Sequence, residues 1–150
     1  GSLGEIVTQL HAALVARGVD ATVAVVCGRN EALADQLNAK DWEAPPPPAA
    51  GPKRRLSTRL FRRAPPVPPP AARPGKVSVL GLGFIDAMEK YMVAADVLVT
   101  KAGPGTIAEA AALGLPVLLT SYLPGQEAGN VDVVVNGGCG TYEEDPGGIA

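Results

Sequence analysis

The feature that most constrains the fold is a regular alternation of short β-branched runs with longer helical segments. Helices are predicted at residues 3–17, 31–39, 86–94 and 106–113, and strands at 22–27, 77–80, 97–100 and 116–119. The strands read as continuous apolar runs, which is typical of strands covered on both faces. Strands that alternate with helices form βαβ units with right-handed crossovers. The sequence therefore predicts a parallel, doubly wound (Rossmann-like) α/β domain.

Local signals place the first helices and indicate an incomplete domain. Ser2 and Glu5 have the spacing of a capping box, Gly18 ends the first helix, and Asn30 is placed to cap the second. The chain begins on a helix with no strand before it and stops at residues 147–150 with no closing helix. We therefore expect a domain that is truncated at both ends.

Residues 45–75 differ in composition from the rest of the chain. They hold 11 of the 15 prolines and seven of the 13 lysines and arginines, with no acidic residue. The remainder has six basic and 15 acidic side chains, a net charge of −9. Because proline fixes φ and removes a backbone donor, this insert is predicted to be a disordered loop. Residues 1–44 and 76–150 then form the folded domain.

The insert also suits a membrane surface. Its basic side chains are interspersed with Leu56, Leu60 and Phe61, a combination that an anionic lipid surface attracts. The alternative is a solvated expansion that acts only as a tether. Composition alone leaves both interpretations open.

Composition excludes several classes of protein. The chain is 47% hydrophobic, which is enough for a core, but no apolar run approaches the roughly 18–20 residues of a membrane-spanning helix. Cys27 and Cys139 lie in apolar runs without a nearby Cys or His at metal-ligand spacing, so buried, reduced thiols and no metal site are expected. His11 is the only histidine, and its place beside the apolar face of the first helix favours a structural role.

The segment most informative about chemistry is KAGPGTIAEA at 101–110, which leaves a strand, turns through two glycines and enters a helix. Parallel sheets bind ligands at the carboxyl ends of their strands, and such a turn brings phosphate oxygens to helix N-terminal amides. The spacing fits a nucleotide diphosphate, whereas the P-loop and G-x-G-x-x-G fingerprints are missing from the sequence. Alternatively, Thr106 and Glu109 form a capping box, and Gly103 and Gly105 only make the turn.

Three segments together resemble the nucleotide-sugar-binding half of glycosyltransferase family 28. They are GLGFIDAMEKYMVAADVLVT at 81–100, KAGPGTIAEAAALGLPVLL at 101–119 and PGQEAGN at 124–130. Within the family the sequence is most similar to the monogalactosyldiacylglycerol synthases of plant and algal plastids. It is more distantly similar to the bacterial enzyme that adds N-acetylglucosamine to lipid I. The resemblance covers residues 1–44 and 76–142, and the insert departs from the pattern.

The resemblance implies an inverting enzyme of the GT-B fold that transfers galactose from UDP-galactose to diacylglycerol. Its carboxyl half, which this chain matches, holds the donor without a metal or other cofactor. Its amino half supplies the catalytic base and the diacylglycerol site, so no catalytic residue is expected here and the chain alone should be inactive. The resemblance also implies peripheral attachment to the plastid (chloroplast) envelope membrane and no nucleic-acid partner.

The resemblance assigns a donor-binding role to ten residues. The uracil loop corresponds to Gly83, Phe84 and Ile85, the diphosphate turn to Gly103, Gly105 and Thr106, the ribose acid to Glu109, and the sugar-reading group to Gln126, Glu127 and Asn130. Each group has a plainer interpretation: Phe84 as a core aromatic, Glu109 as a helix cap, residues 126–127 as a solvated loop and Asn130 as the cap of the next helix. Lys101 either screens the diphosphate or is simply solvated.

Two other functions remain open from the sequence. One is a domain that uses UDP-N-acetylglucosamine, and the other is a stand-alone donor-binding subunit that needs a membrane-bound acceptor subunit. The PGQE segment at 124–127 favours the galactolipid branch. An acceptor domain encoded upstream in the same frame would separate these alternatives.

Overall fold

The computed structural model describes residues 2–43 and 73–149, in which helices and strands strictly alternate. In chain order these are α1 (Leu3–Ala16), β1 (Ala21–Val26), α2 (Glu31–Ala39), β2 (Val77–Leu82), α3 (Met88–Ala94), β3 (Leu98–Lys101), α4 (Pro104–Leu113), β4 (Val117–Ser121), α5 (Ala128–Asn136), β5 (Gly140–Tyr142) and α6 (Pro146–Ile149). The predicted alternation is therefore confirmed. The predictions of disorder and of membrane binding for the insert concern residues that lie, for the most part, outside the described part of the chain.

All the described strand pairs are parallel, but they form two sheets. The first has the order β1-β2 and the second the order β3-β4-β5. Val23 pairs with Val79 in the first sheet, and Leu98 pairs with Val117 in the second. The parallel, Rossmann-like α/β class is confirmed. Within residues 2–43 and 73–149, no strand of the first sheet pairs with a strand of the second.

The outer edge of β2 is closed by a side chain. Asn38 of α2 donates its Nδ2 to the Gly81 carbonyl at 2.9 Å and accepts the Gly81 N–H on Oδ1 at 2.8 Å. A Cβ at position 81 would lie 2.5 Å from the Ala34 carbonyl oxygen, so only glycine allows this close approach. The amide of Asn38 thus satisfies backbone groups that would otherwise form an unpaired strand edge.

Each sheet has its own hydrophobic core. Val7, Val25, Leu37 and Val79 pack the first sheet against α1 and α2. The second core joins α3, α4 and α5 to the three-stranded sheet; its buried residues are Met92, Ala102, Ala110, Leu115, Val117, Leu119 and Val134. Helix α6 contacts α1 and its Ile149 is buried. The expectation that residues 147–150 hold no closing helix is therefore wrong, because Pro146 starts a short helix whose Ile149 side chain packs inward.

The predicted caps of the first two helices are confirmed. The Ser2 N–H donates to Glu5 Oε2 at 2.7 Å and the Glu5 N–H donates to Ser2 Oγ at 3.3 Å, which completes the capping box of α1. The Leu33 N–H donates to Asn30 Oδ1 at 3.1 Å at the start of α2. These local side-chain bonds satisfy N–H groups that a helix cannot satisfy itself.

The last residues assigned to the insert, 73–75, are attached to the folded domain. Arg73 forms a two-pronged ion pair with Asp20, at 3.1 and 2.9 Å, and the Lys76 N–H donates to the same carboxylate. These contacts, Arg73 first, lower the pKa of Asp20 to about 2. The chain therefore re-enters the fold beside the amino end of β1.

The two thiols differ in their surroundings. Cys27 is half-buried, and its burial raises the pKa of the thiol, whereas Cys139 is exposed. The expectation of a buried thiol is wrong for Cys139 because it lies in the surface connection between the Gly137–Gly138 turn and β5. Both thiols are free, and the described residues contain no cluster suited to a metal ion. None of the described helices is long and apolar enough to cross a membrane.

His11 is a core side chain. It is 5% exposed, and its ring centroid lies 4.8 Å from that of Trp42. Lys40 places its ammonium 4.1 Å from the centre of the Trp42 ring. Burial lowers the pKa of His11, and the charge of Lys40 lowers it further.

We predict that this packing makes the domain less stable in mild acid. The unfolded histidine takes up a proton near pH 6.5, and the folded one resists it, so the free energy of unfolding should fall as the pH drops below about 6.5. Urea titrations between pH 7 and pH 5, followed by the fluorescence of the single tryptophan, measure this slope. His11→Gln should flatten it, and an equal slope in the variant would contradict the prediction.

Candidate donor-binding site

The loop that follows β2 carries an exposed aromatic ring. Phe84 is 71% exposed, so its interpretation as a core aromatic is wrong. Its neighbours Gly83 and Ile85 are half-buried, and a Cβ at Gly83 would lie 3.9 Å from the carbonyl oxygen of Gly28 in the loop after β1. The ring is thus presented by a supported loop at the carboxyl edge of the first sheet. An exposed aromatic in this place offers a face for stacking of a planar base.

The turn after β3 ends in an open helix N-terminus. Helix α4 begins at Pro104, with Gly103 as its N-cap and no side-chain cap. Thr106 therefore lies inside the first turn, and the alternative capping box of Thr106 with Glu109 is wrong. Among the described hydrogen bonds none is donated by the N–H of Gly105 or of Thr106. Two such N–H groups at the positive end of the helix dipole favour the binding of an anion.

The two glycines of this turn serve different purposes. A Cβ at Gly103 would lie 3.4 Å from the Lys101 Nζ and 4.0 Å from the Glu127 Oε1, so Gly103 lies directly against a side-chain ion pair. A Cβ at Gly105 would meet nothing within 4 Å. Its φ is not in the left-handed region, so neither packing nor turn geometry among the described residues requires glycine at 105. The free space at Gly105 is open to a ligand.

Glu109 lies one helical turn beyond Gly105. Residues four apart share a helix face, so Glu109 lies on the same face of α4 as Gly105. The residue is exposed, and no described hydrogen bond engages its side chain. The acid is therefore available to a ligand that also touches the N-terminus.

Glu127 and Lys101 join the two turns at the carboxyl edge of the second sheet. Lys101 ends β3 and donates from Nζ to Glu127 Oε1 at 2.7 Å, while the Leu123 N–H donates to Glu127 Oε2 at 2.9 Å. The bond from Lys101, followed by that from Leu123, lowers the pKa of Glu127. Glu127 is 6% exposed, so its interpretation as part of a solvated loop is wrong. Residue types alone gave no sign of this pairing.

The remaining predicted residues flank this ion pair. Asn130 lies within α5 and donates from Nδ2 to the Ala102 carbonyl at 2.9 Å, so its interpretation as a helix cap is wrong. Gln126 is exposed beside Glu127. The bond from Asn130 holds the first residue of the glycine turn, a contact that sequence reasoning missed because the partner is a backbone carbonyl 28 positions away.

The predicted residues thus form two groups. One comprises the diphosphate turn, Glu109 and residues 126, 127 and 130 at the second sheet, and the other comprises residues 83–85 at the first. No hydrogen bond or ion pair links the groups within the described ranges 2–43 and 73–149. A shallow groove of about 270 Å³ lies elsewhere, at the amino ends of β3 and β4 between Met92 and Pro116, and contains none of the predicted residues.

Comparison with known families identifies this architecture. The model for the glycosyltransferase family 28 C-terminal domain matches residues 72–145. Residues 72–145 therefore correspond to a glycosyltransferase family 28 C-terminal domain. The alternating parallel α/β elements agree with the carboxyl-terminal, Rossmann-like half of a GT-B enzyme.

Individual relatives point to one branch of the family. The chain is 38% identical over 128 residues to a probable chloroplastic monogalactosyldiacylglycerol synthase of Glycine max, which covers 85% of this chain and 18% of the relative. It is 39% identical over 124 residues to monogalactosyldiacylglycerol synthase 1 of Arabidopsis thaliana, covering 83% of the chain and 17% of the relative. A synthase of Spinacia oleracea is 38% identical over 126 residues. The chain therefore spans less than a fifth of the length of these relatives.

Proposed function

We propose that this family 28 domain binds UDP-galactose for a protein that transfers galactose to diacylglycerol. The observation that carries the proposal is the open N-terminus of α4, where Gly105 leaves free space beside two amides without described partners. The similarity to monogalactosyldiacylglycerol synthases supports the choice of sugar and acceptor. The same relatives are named chloroplastic, which supports a peripheral position on the plastid envelope.

Each group of residues has a distinct part in this proposal. Phe84 stacks on the uracil, the amides of Gly105 and Thr106 receive the diphosphate, and Glu109 accepts hydrogen bonds from the ribose hydroxyls. Residues 126, 127 and 130 face the galactose. A carboxylate beside a vicinal diol forms charge-assisted bonds, which are stronger than neutral ones.

The same elements assist the proposed transfer. As the acceptor oxygen bonds to the anomeric carbon, the bond to UDP breaks and negative charge grows on the departing diphosphate. Amides fixed at a helix N-terminus stabilise that charge without having to reorganise. The proton of the acceptor hydroxyl passes to a base that the proposal places outside this chain.

We predict that the site prefers UDP to ADP and GDP. Stacking on the exposed Phe84 does not distinguish one base from another, so the preference rests on the loop 83–85. In the proposal its backbone groups pair with the polar edge of uracil, and a purine would leave them unpaired. Calorimetry on the full-length gene product should show UDP binding about tenfold or more tighter than either purine nucleotide. Equal affinities for the three diphosphates would contradict the proposal.

We predict that Gly105→Ala stabilises the domain but impairs the site. Alanine in a helix is favoured over glycine by about 0.5–1 kcal/mol, and nothing in the described structure obstructs its methyl group. The same methyl group fills the space assigned to the diphosphate, which should cost about 1–3 kcal/mol of UDP binding.

Gly129→Ala is a matched control for that variant. Gly129 is also the second residue of its helix, and a Cβ at this position would likewise meet nothing within 4 Å. The control should give a similar rise in thermal stability and leave UDP affinity unchanged. If Gly105→Ala binds UDP as tightly as the parent protein, the diphosphate lies elsewhere.

We predict that Glu109→Gln weakens UDP binding by about 1–3 kcal/mol, because charge-assisted bonds to the ribose become neutral ones. The loss should be much smaller for 2′-deoxy-UDP, which lacks one of the two hydroxyls. Asp35→Asn, which neutralises an exposed acid on α2, controls for the change in net charge. An equal loss of affinity for UDP and for 2′-deoxy-UDP would show that Glu109 does not contact the ribose.

A further inference from the structure

The ion pair between Lys101 and Glu127 lies beside the open helix N-terminus. The Nζ of Lys101 is 3.4 Å from the place where a Cβ at Gly103, the N-cap of α4, would lie. The Glu127 side chain is 7% exposed and that of Lys101 is 56% exposed. One partner is therefore buried and the other faces solvent at the mouth of the candidate site.

The ammonium group has unused capacity for hydrogen bonds. Lysine carries three N–H donors, and the contact with Glu127 uses one of them. Glu127 is itself anchored, since its second oxygen accepts the Leu123 N–H. Within residues 2–43 and 73–149 the other two donors of Lys101 have no hydrogen-bond partner, so the ammonium group can also contact a second anion.

Strand geometry accounts for the position of Lys101. The pairing of β3 with β4 is regular up to Thr100 opposite Leu119 and then shifts, so that Lys101 lies opposite Ser121. Such irregularities change the direction of nearby side chains and often occur next to binding sites. Here the shift falls at the last residue of β3, immediately before the turn that leads to α4.

We propose that Lys101 contacts the diphosphate of the donor and that the buried Glu127 is the residue that positions its ammonium group. The inference rests on the proposed function, because it needs a nucleoside diphosphate at the α4 N-terminus. One ammonium group does not cancel the charge of both a carboxylate and a diphosphate, but between them it attracts each anion. Without it, the buried carboxylate would only repel the phosphates.

The inference has one structural alternative: that Lys101 serves only to compensate the buried charge of Glu127. The two accounts differ in a double variant. If Lys101 only compensates Glu127, removing both charges together should restore binding of the diphosphate. If Lys101 contacts the phosphates, the affinity for UDP stays low after both charges are removed.

The test uses calorimetry on the full-length gene product with UDP and with uridine, which lacks phosphate. Lys101→Met should weaken UDP binding about tenfold or more and leave uridine binding unchanged. Lys76→Met, which removes an exposed lysine next to the amino end of β2, is the control and should change neither affinity.

The double variant Lys101→Met with Glu127→Gln keeps the test decisive if the single variant fails to fold, because it leaves no unpaired buried charge. The inference requires weak UDP binding and normal uridine binding in this protein. Parental UDP affinity, or an equal loss for uridine, would overturn it. If the parent protein itself binds no UDP, the proposed function fails and the inference fails with it.

Discussion

The candidate site depends on one buried carboxylate. The Glu127 carboxylate accepts hydrogen bonds from Lys101, at the end of β3, and from the Leu123 N–H, in the turn after β4. A single charged group therefore links the loops that follow two neighbouring strands. A carboxylate that is 6% exposed needs such partners, since a buried charge left without one is strongly destabilising. The position of the glycine turn is therefore coupled to that of residues 123–130.

Elements whose signals are local could be predicted from the sequence. The capping box of Ser2 with Glu5 and the cap at Asn30 act within four residues, and both are present in the structure. The predicted start of α4 at residue 106 is wrong because two local signals compete there. Thr106 and Glu109 have capping-box spacing, but Pro104 has a φ suited to the first helical position and lacks the N–H that a helix leaves unsatisfied.

Partners that are distant along the chain could not be predicted in the same way. Lys101 and Glu127 are 26 residues apart, and Asn130 reaches a carbonyl 28 residues away. Whether these side chains meet depends on how β3 and β4 pair, including the register shift after Thr100. No pattern in the sequence predicts that shift. The resemblance selected residues for the site, but only the fold distinguishes a buried Glu127 from an exposed Gln126 beside it.

The two groups of candidate residues belong to different sheets, and this division has an energetic consequence. Within each group the geometry is fixed by close contacts, such as Asn38 on Gly81 in one sheet and Glu127 on Lys101 in the other. Helix α6, which follows the second sheet along the chain, contacts α1 of the first. When a nucleotide spans both groups, binding to the first group holds its other half close to the second, which raises the effective concentration for the second contact. This advantage is lost when the spacing of the two groups does not match the nucleotide. Under the proposed function, the affinity for a whole nucleotide is therefore more sensitive to the placement of the two sheets than the affinity for either half of it.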